Sequence, residues 1–456
     1  MLGSIRPALC LCCDQLSLDS RDGTSASRFW GQPPRDPRYA GQQPAGRLAD
    51  RTRSVAVPTV LYRLLFRLVL QNIRPEAAHA GATRVMRIVE TVPALSWLLR
   101  KLIGPPDPAL QVRTLGLTFP SPLGVAAGMD KDATWFEGLG DLGFGFVEVG
   151  TITARPQQGN PRPRVWRLSE DQALLNSMGF PNPGADATAA RLRDRRGRTI
   201  IGANLGKSMT VSIDDAGRDY AESVGKVAPL SDYVVLNVSS PNTPGLRTMQ
   251  GVERLGGLIA NVRQELARIG CQVPLLIKIA PDLSDEELDA IADLALALEL
   301  DGIVAVNTTV ERTGLASGDA AILARAGGIS GPPLRARAIY VLERLRARVG
   351  DALVLVSVGG ITTPDDAWQR VLAGATLVQA YTGLVYGGPS WPRHINRGLS
   401  KRVREAGFKS LHDAIGAGVK CASIPQAPSA PTRSGEESSA RPRHGRLPVG
   451  RASAAR

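Results

Sequence analysis

Residues 275–307 read LLIKIAPDLSDEELDAIADLALALELDGIVAVN and contain one complete unit of the fold. The first segment, Leu275–Ala280, is almost wholly apolar and rich in branched side chains, as expected of a strand that is buried on both faces. Ser284 and the three acidic residues after it form a helix-capping signature, so an amphipathic helix is predicted over Ser284–Leu298. A second apolar segment follows at Gly302–Asn307. A helix between two such strands predicts a parallel sheet, because parallel strands need a long crossover connection.

Apolar segments of the same kind recur on both sides of this unit, at Leu123–Ala127, Phe146–Thr151, Ile200–Leu205, Tyr233–Val238, Leu353–Val358 and Leu377–Tyr381. Eight strands with helical patterns between them predict an α/β fold, a (β/α)8 TIM barrel, over residues 105–418. A doubly wound sheet is the alternative, but it does not need eight regular units. The segment from Arg155 to about Pro183 is too long for a simple loop. We expect it to rise above the C-terminal rim of the barrel and help cover the site.

The two ends of the chain have a different composition. Residues 1–58 lack an apolar period and are predicted to be a disordered or spurious extension, and residues 419–456 a basic disordered tail. In residues 59–104 apolar side chains recur at helical spacing between arginines, and Pro75 fits the first turn of a second helix. We predict a helical hairpin that either packs on the barrel or lies in a membrane surface. The interleaved arginines favour the membrane surface, and the uncharged stretches are too short for a span.

The net charge of +13 belongs to these extensions. Residues 1–58 carry eight Arg against five Asp, and residues 59–104 and 419–456 each carry six Arg and one Lys against two Glu. The barrel segment is therefore neutral, which argues against nucleic acid as a partner. The five cysteines show no disulfide framework, which indicates a reducing compartment. Cys10, Cys12 and Cys13 lack the spacing of a zinc site, so no metal is predicted.

Catalytic groups of such barrels lie at the C-terminal ends of the strands. Those ends carry amides, hydroxyls and two lysines here, without a Ser-His-Asp arrangement or a cluster of His and carboxylates. This lining suits a planar, polar, anionic heterocycle. Gly359-Gly360 and Thr382-Gly383, which follow the last two strands, predict a phosphate site, because glycine lets backbone amides approach closely. FMN is the natural candidate for a phosphate-bearing cofactor.

Several motifs make a resemblance to one family specific. Asn237–Arg247 reads NVSSPNTPGLR and resembles the active-site loop of the class 2 dihydroorotate dehydrogenases. Singly, its serine and asparagine residues are also good turn formers. The other motifs stand in the order of the same family and extend the resemblance over about residues 59–418: Arg74–His79 (RPEAAH), Gly128–Asp132 (GMDKD), Asn176–Phe180 (NSMGF), Lys278–Ser284 (KIAPDLS), Asn307–Thr309 (NTT), Gly327–Gly331 (GGISG) and Gly374–Thr382 (GATLVQAYT).

The resemblance implies a role for each matching residue. Ser240 is expected to remove a proton from C5 of dihydroorotate while the C6 hydride passes to N5 of FMN. Serine is a weak base, so its proton must leave through water or Thr243 in a closed site. The expected substrate-binding residues are Lys131, Asn176, Ser177, Met178, Gly179, Phe180, Asn237, Asn242, Asn307 and Thr308. The expected FMN-binding residues are Ala127, Gly128, Met129, Asp130, Lys131, Thr151, Asn204, Asn237, Lys278, Val306, Gly331, Gly360, Tyr381 and Thr382.

The resemblance further implies that the product is orotate, in de novo pyrimidine biosynthesis, and that a membrane quinone accepts the electrons. The quinone head is expected to contact His79, Arg167 and Tyr381, and the protein to be peripheral on the inner face of a cell membrane. Two other functions are a soluble FMN oxidoreductase that uses fumarate or NAD, and a catalytically silent flavoprotein scaffold. The hairpin and Ser240, where a related class has cysteine, disfavour the first. The intact lysines and Ser240 disfavour the second.

Overall fold

The structure is a computed structural model that describes residues 57–419, except Arg198 and the side chains of residues 57–61 and 63. All described residues belong to one unit. The predicted disorder of residues 1–58 and 419–456 therefore lies almost wholly outside the described residues.

The described residues contain thirteen strands: β1 (Val112–Thr114), β2 (Leu117–Phe119), β3 (Leu123–Val125), β4 (Phe146–Ile152), β5 (Val165–Leu168), β6 (Ala173–Asn176), β7 (Ile200–Leu205), β8 (Tyr233–Asn237), β9 (Leu275–Ile279), β10 (Gly302–Ala305), β11 (Gly328–Ser330), β12 (Val354–Val358) and β13 (Leu377–Ala380). Eight of them close into a parallel barrel in the order β3-β4-β7-β8-β9-β10-β12-β13. These are the eight predicted strands, with ends that differ from the predicted ones by at most two residues. The predicted TIM barrel is therefore confirmed.

The helices that the structure describes are α1 (Val57–Leu68), α2 (Pro75–Thr91), α3 (Pro93–Ile103), α4 (Phe136–Asp141), α5 (Ala185–Arg193), α6 (Ala216–Val227), α7 (Val252–Arg268), α8 (Asp285–Ala297), α9 (Ala320–Leu323), α10 (Arg335–Val349), α11 (Pro364–Leu372), α12 (Thr382–Gly387), α13 (Trp391–Glu405) and α14 (Leu411–Ala414). Helix α8 has the predicted cap. The Glu287 N–H donates to Ser284 Oγ at 3.2 Å, and the Ser284 N–H donates to the Glu287 carboxylate at 2.7 Å. This reciprocal pair satisfies two amides that a helix start otherwise leaves unpaired.

The long segment between β4 and α5 contributes to a small antiparallel sheet beside the rim. Strands β5 and β6 pair with each other, and β11, from the segment after β10, pairs with β6. Asn176 ends β6, and its side chain contacts Asn242 of the loop after β8. The predicted excursion therefore does reach the C-terminal end of the barrel.

The N-terminal extension has a third helix beyond the predicted pair. Pro75 begins α2, as predicted, and Pro93 begins α3, because proline tolerates the first turn but not the interior of a helix. The Tyr62 hydroxyl donates to the Val385 carbonyl at 2.7 Å, and the Gly138 N–H donates to the Glu90 carboxylate at 3.2 Å. These contacts hold α1 and α2 on the barrel.

Most exposed large apolar side chains among the described residues lie on these helices and the turns between them: Leu64, Leu65, Leu68, Val69, Ile73, Val85, Ile88, Val92, Leu95, Trp97, Leu98 and Leu102. We call this set the apolar face. Within residues 57–419, no helix combines the length and the apolar character needed to cross a bilayer.

Candidate active site at the barrel rim

Polar side chains from β4 and β7, and from the ends of β8 and β10 and the residues just after them, meet at the C-terminal end of the barrel. The Thr151 hydroxyl donates to Asn204 Oδ1 at 2.5 Å, and Asn237 Nδ2 lies 3.0 Å from the Thr151 oxygen and 3.1 Å from Asn204 Oδ1. Asn307 Nδ2 donates to Asn237 Oδ1 at 3.2 Å and to Ser239 Oγ at 3.0 Å. We call these five residues the amide cluster. The cluster joins four predicted site residues into one hydrogen-bonded wall.

Glu148 lies below the amide cluster and was not singled out in the sequence. Its side chain is fully buried. Oε1 accepts hydrogen bonds from Asn204 Nδ2 at 2.7 Å and from Lys278 Nζ at 3.4 Å, and Oε2 accepts one from Gln379 Nε2 at 2.6 Å. The sequence does contain a signal for Glu148, namely a carboxylate inside a predicted apolar strand. Such a residue is rarely fully buried unless it is paired.

The loop after β8 carries the predicted base. Ser240 is 5% exposed, and its Oγ accepts a hydrogen bond from the Asn242 N–H at 3.2 Å. Thr243 Oγ1 and Asn242 Oδ1 are buried and have no hydrogen-bond partner among the described residues. Buried polar atoms are normally paired, so these two are candidates to bind a ligand.

Arg247 holds this loop and was missed as a site residue, although it ends the quoted motif. Its Nε donates to the Ser239 carbonyl at 3.1 Å, and its Nη2 donates to the Thr308 carbonyl at 2.9 Å. Nη1 lies 2.8 Å from Asp282 Oδ2 in an ion pair. One guanidinium therefore ties together the loops that follow β8, β9 and β10, and so fixes Ser240 relative to Thr308.

The predicted residues Asn176–Phe180 lie against the same loop. Asn242 Nδ2 donates to Asn176 Oδ1 at 3.0 Å. Asn160, which sequence reasoning missed, donates from Nδ2 to Ser177 Oγ at 3.3 Å and to the Asn242 carbonyl at 3.2 Å. The carbonyls of Met178 and Gly179 accept hydrogen bonds from within the excursion, and the Phe180 ring packs over Gly206. Asn160 and Asn176 thus join the excursion to the loop of the predicted base.

The loop after β3 contains Ala127, the buried Asp130 and the half-buried Lys131, and the last two have shifted pKa values. Burial lowers the pKa of Lys131 from its usual range to about 8, and the amine donates to the Gly128 carbonyl at 2.6 Å. Burial raises the pKa of Asp130 to about 6, against hydrogen bonds from the N–H groups of Thr134 and Trp135. The Asp130 carboxylate thus caps its own loop. Met129 is part of the hydrophobic core.

Gly331 follows β11 and lies beside Thr382, which follows β13, and Gly360 follows β12. Gly331 and Gly360 have positive φ angles of 104° and 78°. A Cβ on Gly360 would lie 2.6 Å from Arg335 Cα at the start of α10, and one on Gly331 would lie 3.1 Å from Thr382 Cγ2. The backbone here is so closely packed that only glycine fits. Val306 is buried, and its N–H donates to the Val358 carbonyl at 3.1 Å.

The three predicted quinone contacts lie between the N-terminal helices and the barrel. Burial and the charge of Lys131 lower the pKa of His79 to about 3, so its imidazole is neutral at physiological pH. Burial raises the pKa of Tyr381 to about 12, and its ring lies next to Gly128. Arg167 Nη1 donates to the Ile73 carbonyl at 2.7 Å, and its guanidinium lies over the Phe66 ring. His79 and Tyr381 thus approach the loop after β3, whereas Arg167 contacts α1 and the turn before α2.

Metal ligands do not cluster in the part of the chain that the structure describes. No group of three or more His, Cys, Asp or Glu side chains there could hold a metal ion. Cys10, Cys12 and Cys13 lie outside the described residues.

Comparison with known proteins gives one consistent result. A family profile described as dihydroorotate dehydrogenase matches residues 109–403, which is more than half of the chain. Proteins named dihydroorotate dehydrogenase (quinone) are 51% identical to this chain in Thermobifida fusca and 53% identical in Rhodococcus erythropolis. The alignments cover 79% and 78% of this chain, and 97% and 99% of those proteins. The corresponding protein of Mycobacterium tuberculosis is 52% identical and covers 77% of this chain.

Solved structures agree with the sequence comparisons. The crystal structure of the DHODH of Eimeria tenella in complex with ferulenol is similar to this chain with a TM-score of 0.69 and 36% sequence identity. The similarity covers 79% of this chain and 98% of that one.

Proposed function

This chain belongs to the dihydroorotate dehydrogenase family, in its quinone-dependent class, and from that premise we propose that it oxidises dihydroorotate with FMN as cofactor, Ser240 as base and a membrane quinone as acceptor. The observation that carries this proposal is the meeting of the amide cluster with the Ser240 loop at one end of the barrel. The cluster and the loop both present amide and hydroxyl groups, which can form the hydrogen bonds that a planar pyrimidine and a flavin ring require.

The residues of the rim fit FMN in two ways. Gly331, beside Thr382, and Gly360 leave no room for a side chain, as expected where backbone amides cradle a phosphate. The amide cluster offers both donors and acceptors to the polar edge of a flavin ring, and the Lys278 amine lies below it, 3.4 Å from the Glu148 carboxylate. Bound there, FMN supplies the hydride acceptor and the relay of electrons to the quinone.

Ser240 is suited to take the C5 proton because its surroundings favour a negative oxygen. The Asn242 N–H already donates to Oγ, and a hydrogen bond to the charged form of a group stabilises that form. The side chain is almost wholly buried, so bulk water does not compete for the proton. Thr243 Oγ1, which is buried without a partner among the described residues, is the group we propose to pass the proton outwards.

The substrate is held by Lys131 and the asparagines. Lys131 is mostly protonated at pH 7, since its pKa is about 8, and its charge attracts the carboxylate of dihydroorotate. Asn242 Oδ1 lacks a partner among the described residues and is free to accept from a ring N–H. Asn176 fixes the orientation of that amide through its own Oδ1. The remaining site residues inferred from the family pattern, from Ser177 to Thr308, contribute the walls.

Residues 59–104 are proposed to be the membrane-association and quinone-access module of the barrel 105–418. The apolar face and its flanking arginines match a surface that lies in the headgroup region rather than one that spans a bilayer. His79 is neutral, so it can either donate to or accept from a quinone oxygen. His79 and Tyr381 would contact the quinone head from the side of the loop after β3, and Arg167 would bind it from the side of α1.

The test is to assay dihydroorotate oxidation by the purified full-length protein with a soluble quinone, fumarate and NAD in parallel, after its flavin content has been measured. We expect one FMN per chain and turnover with the quinone alone. Equal or faster turnover with fumarate or NAD would exclude the quinone as the specific acceptor. A purified protein that is colourless and does not bind added FMN would exclude FMN as the cofactor.

A further inference from the structure

Glu148 is a buried carboxylate that the reaction above leaves without a role. It lies inside β4, where its neighbours along the strand are apolar and its own side chain has no solvent exposure. Removing an ionised group from water is costly unless partners compensate for the lost hydration. The compensation comes from Asn204, Lys278 and Gln379, which donate to both carboxylate oxygens.

Two of these three donors are residues that we propose to contact the flavin. Asn204 gives its Nδ2 to Glu148, and this turns its Oδ1 towards Thr151 and Asn237. Asn237 Nδ2 donates to the same Oδ1, so the Asn204 amide is held at both ends, by Asn237 through its oxygen and by Glu148 through its nitrogen. Glu148 is therefore the acceptor that holds the buried end of the amide cluster.

Lys278 depends on Glu148 even more directly. The residue is 4% exposed, and among the described residues the Glu148 carboxylate is the group within ion-pair distance of its amine, at 3.4 Å. An ammonium in so dry a site is costly to bury unless an opposite charge stands beside it. In the barrel sheet Lys278 is the register partner of Asn237, so the buried pair lies next to the amide cluster.

We propose that Glu148 is a positioning residue for the flavin reaction, which holds the Lys278 ammonium in place and anchors the Asn204 side chain of the amide cluster. The inference rests on the proposed use of FMN. Its consequence is electrostatic: the ammonium stabilises the negative charge that a flavin gains on reduction. Without Glu148 the amine loses the partner that holds it in place, and its displacement should make reduction of the flavin less favourable, although Glu148 itself touches neither flavin nor substrate.

A double-mutant cycle tests the dependence on Lys278. The variants are Glu148→Gln, Lys278→Gln and the double substitution, each prepared with FMN, and the readouts are the flavin midpoint potential and the rate of flavin reduction by dihydroorotate. Glu148→Gln and Lys278→Gln should each lower the equilibrium constant for flavin reduction about tenfold, a shift of about 30 mV to more negative potential. The double variant should have a midpoint potential no lower than that of the more affected single variant, because both changes remove the same interaction.

Asp232→Asn is the matched control. Asp232 is also paired with a cation, Arg195 at 2.8 Å, but it precedes β8 at the opposite end of the barrel. It should leave the potential unchanged. An unchanged potential in Glu148→Gln would overturn the proposal, and so would effects of the two single changes that simply add in the double variant.

Thermal unfolding gives a second test that does not need Glu148→Gln to fold on its own. In Lys278→Gln the buried carboxylate loses its cation and keeps only the amide donors of Asn204 and Gln379, so the double variant should melt at a higher temperature than Lys278→Gln alone. A double variant that melts lower would contradict the pairing. This measurement needs no turnover, so a wild-type protein that fails to oxidise dihydroorotate would overturn the proposed function and leave the stability result standing.

Discussion

Replacing Ser240 with alanine tests the proposed proton transfer most directly. The hydroxyl accepts one neutral hydrogen bond, from the Asn242 N–H at 3.2 Å, and its loss should cost about 1 kcal/mol of folding stability. The variant should therefore fold and retain FMN. Removal of a general base slows a reaction by about two to four orders of magnitude, which is about 2.7–5.4 kcal/mol of barrier at about 1.36 kcal/mol per tenfold.

The assay is anaerobic stopped-flow reduction of the bound flavin by dihydroorotate, since it isolates this half-reaction from the quinone. Ser239→Ala is the comparison, because Ser239 is the adjacent buried hydroxyl and contacts Asn237 and Asn307 without being the proposed base. We expect that change to cost about tenfold or less. Ser240→Cys should recover part of the rate at higher pH, as the thiol ionises. Reduction by Ser240→Ala within a few-fold of wild type would remove Ser240 from the mechanism.

Three further predictions concern the cofactor, the substrate and the membrane. Gly360→Ala should weaken FMN binding about tenfold or more, because its Cβ would meet Arg335 Cα at 2.6 Å. Gly350→Ala is the control and should leave FMN binding unchanged, because Gly350 has a φ of 55° but open space around it. Equal FMN dissociation constants for the two variants would contradict the proposed phosphate site. The KM for dihydroorotate should rise about tenfold as the pH increases through about 8, because burial lowers the pKa of Lys131 to about 8 and the amine then loses its charge. Lys131→Met should have a high KM at every pH. A wild-type KM that stays constant between about pH 7 and about pH 9.5 would argue against this contact. Deletion of residues 59–103 should slow flavin reoxidation by long-chain quinones and release the protein from anionic vesicles, while flavin reduction by dihydroorotate persists. Deletion of residues 1–55 should change neither quinone reduction nor vesicle binding. Quinone reduction at the full rate by the protein without residues 59–103 would show that these helices only pack on the barrel.

The fold was predictable because its signals are local. Each barrel strand is a short apolar run, and the Ser284–Glu287 cap lies within four residues, so pattern and capping chemistry identify the βα unit before any tertiary contact is known. The strand ends then gave the site, since the closed parallel barrel brings all its C-terminal ends to one rim. Asn204, Asn237 and Asn307 were predicted from this rule and from the family motifs, and they do meet.

What the sequence left undecided depends on contacts between segments far apart in the chain. Glu148 and Gln379 pair across 231 positions, and Asn160 reaches Asn242 across 82, so no local pattern connects them. The burial of single side chains could also be known only from the fold. It lowers the pKa values of Lys131 and His79, and the Thr243 hydroxyl is buried without a partner among the described residues. The sequence by itself determined which residues stand at the strand ends, because strand and helix periods are properties of neighbouring residues. Only the tertiary structure decided which of them are paired, charged or left free, because dehydration and hydrogen bonding depend on what the rest of the chain places around them.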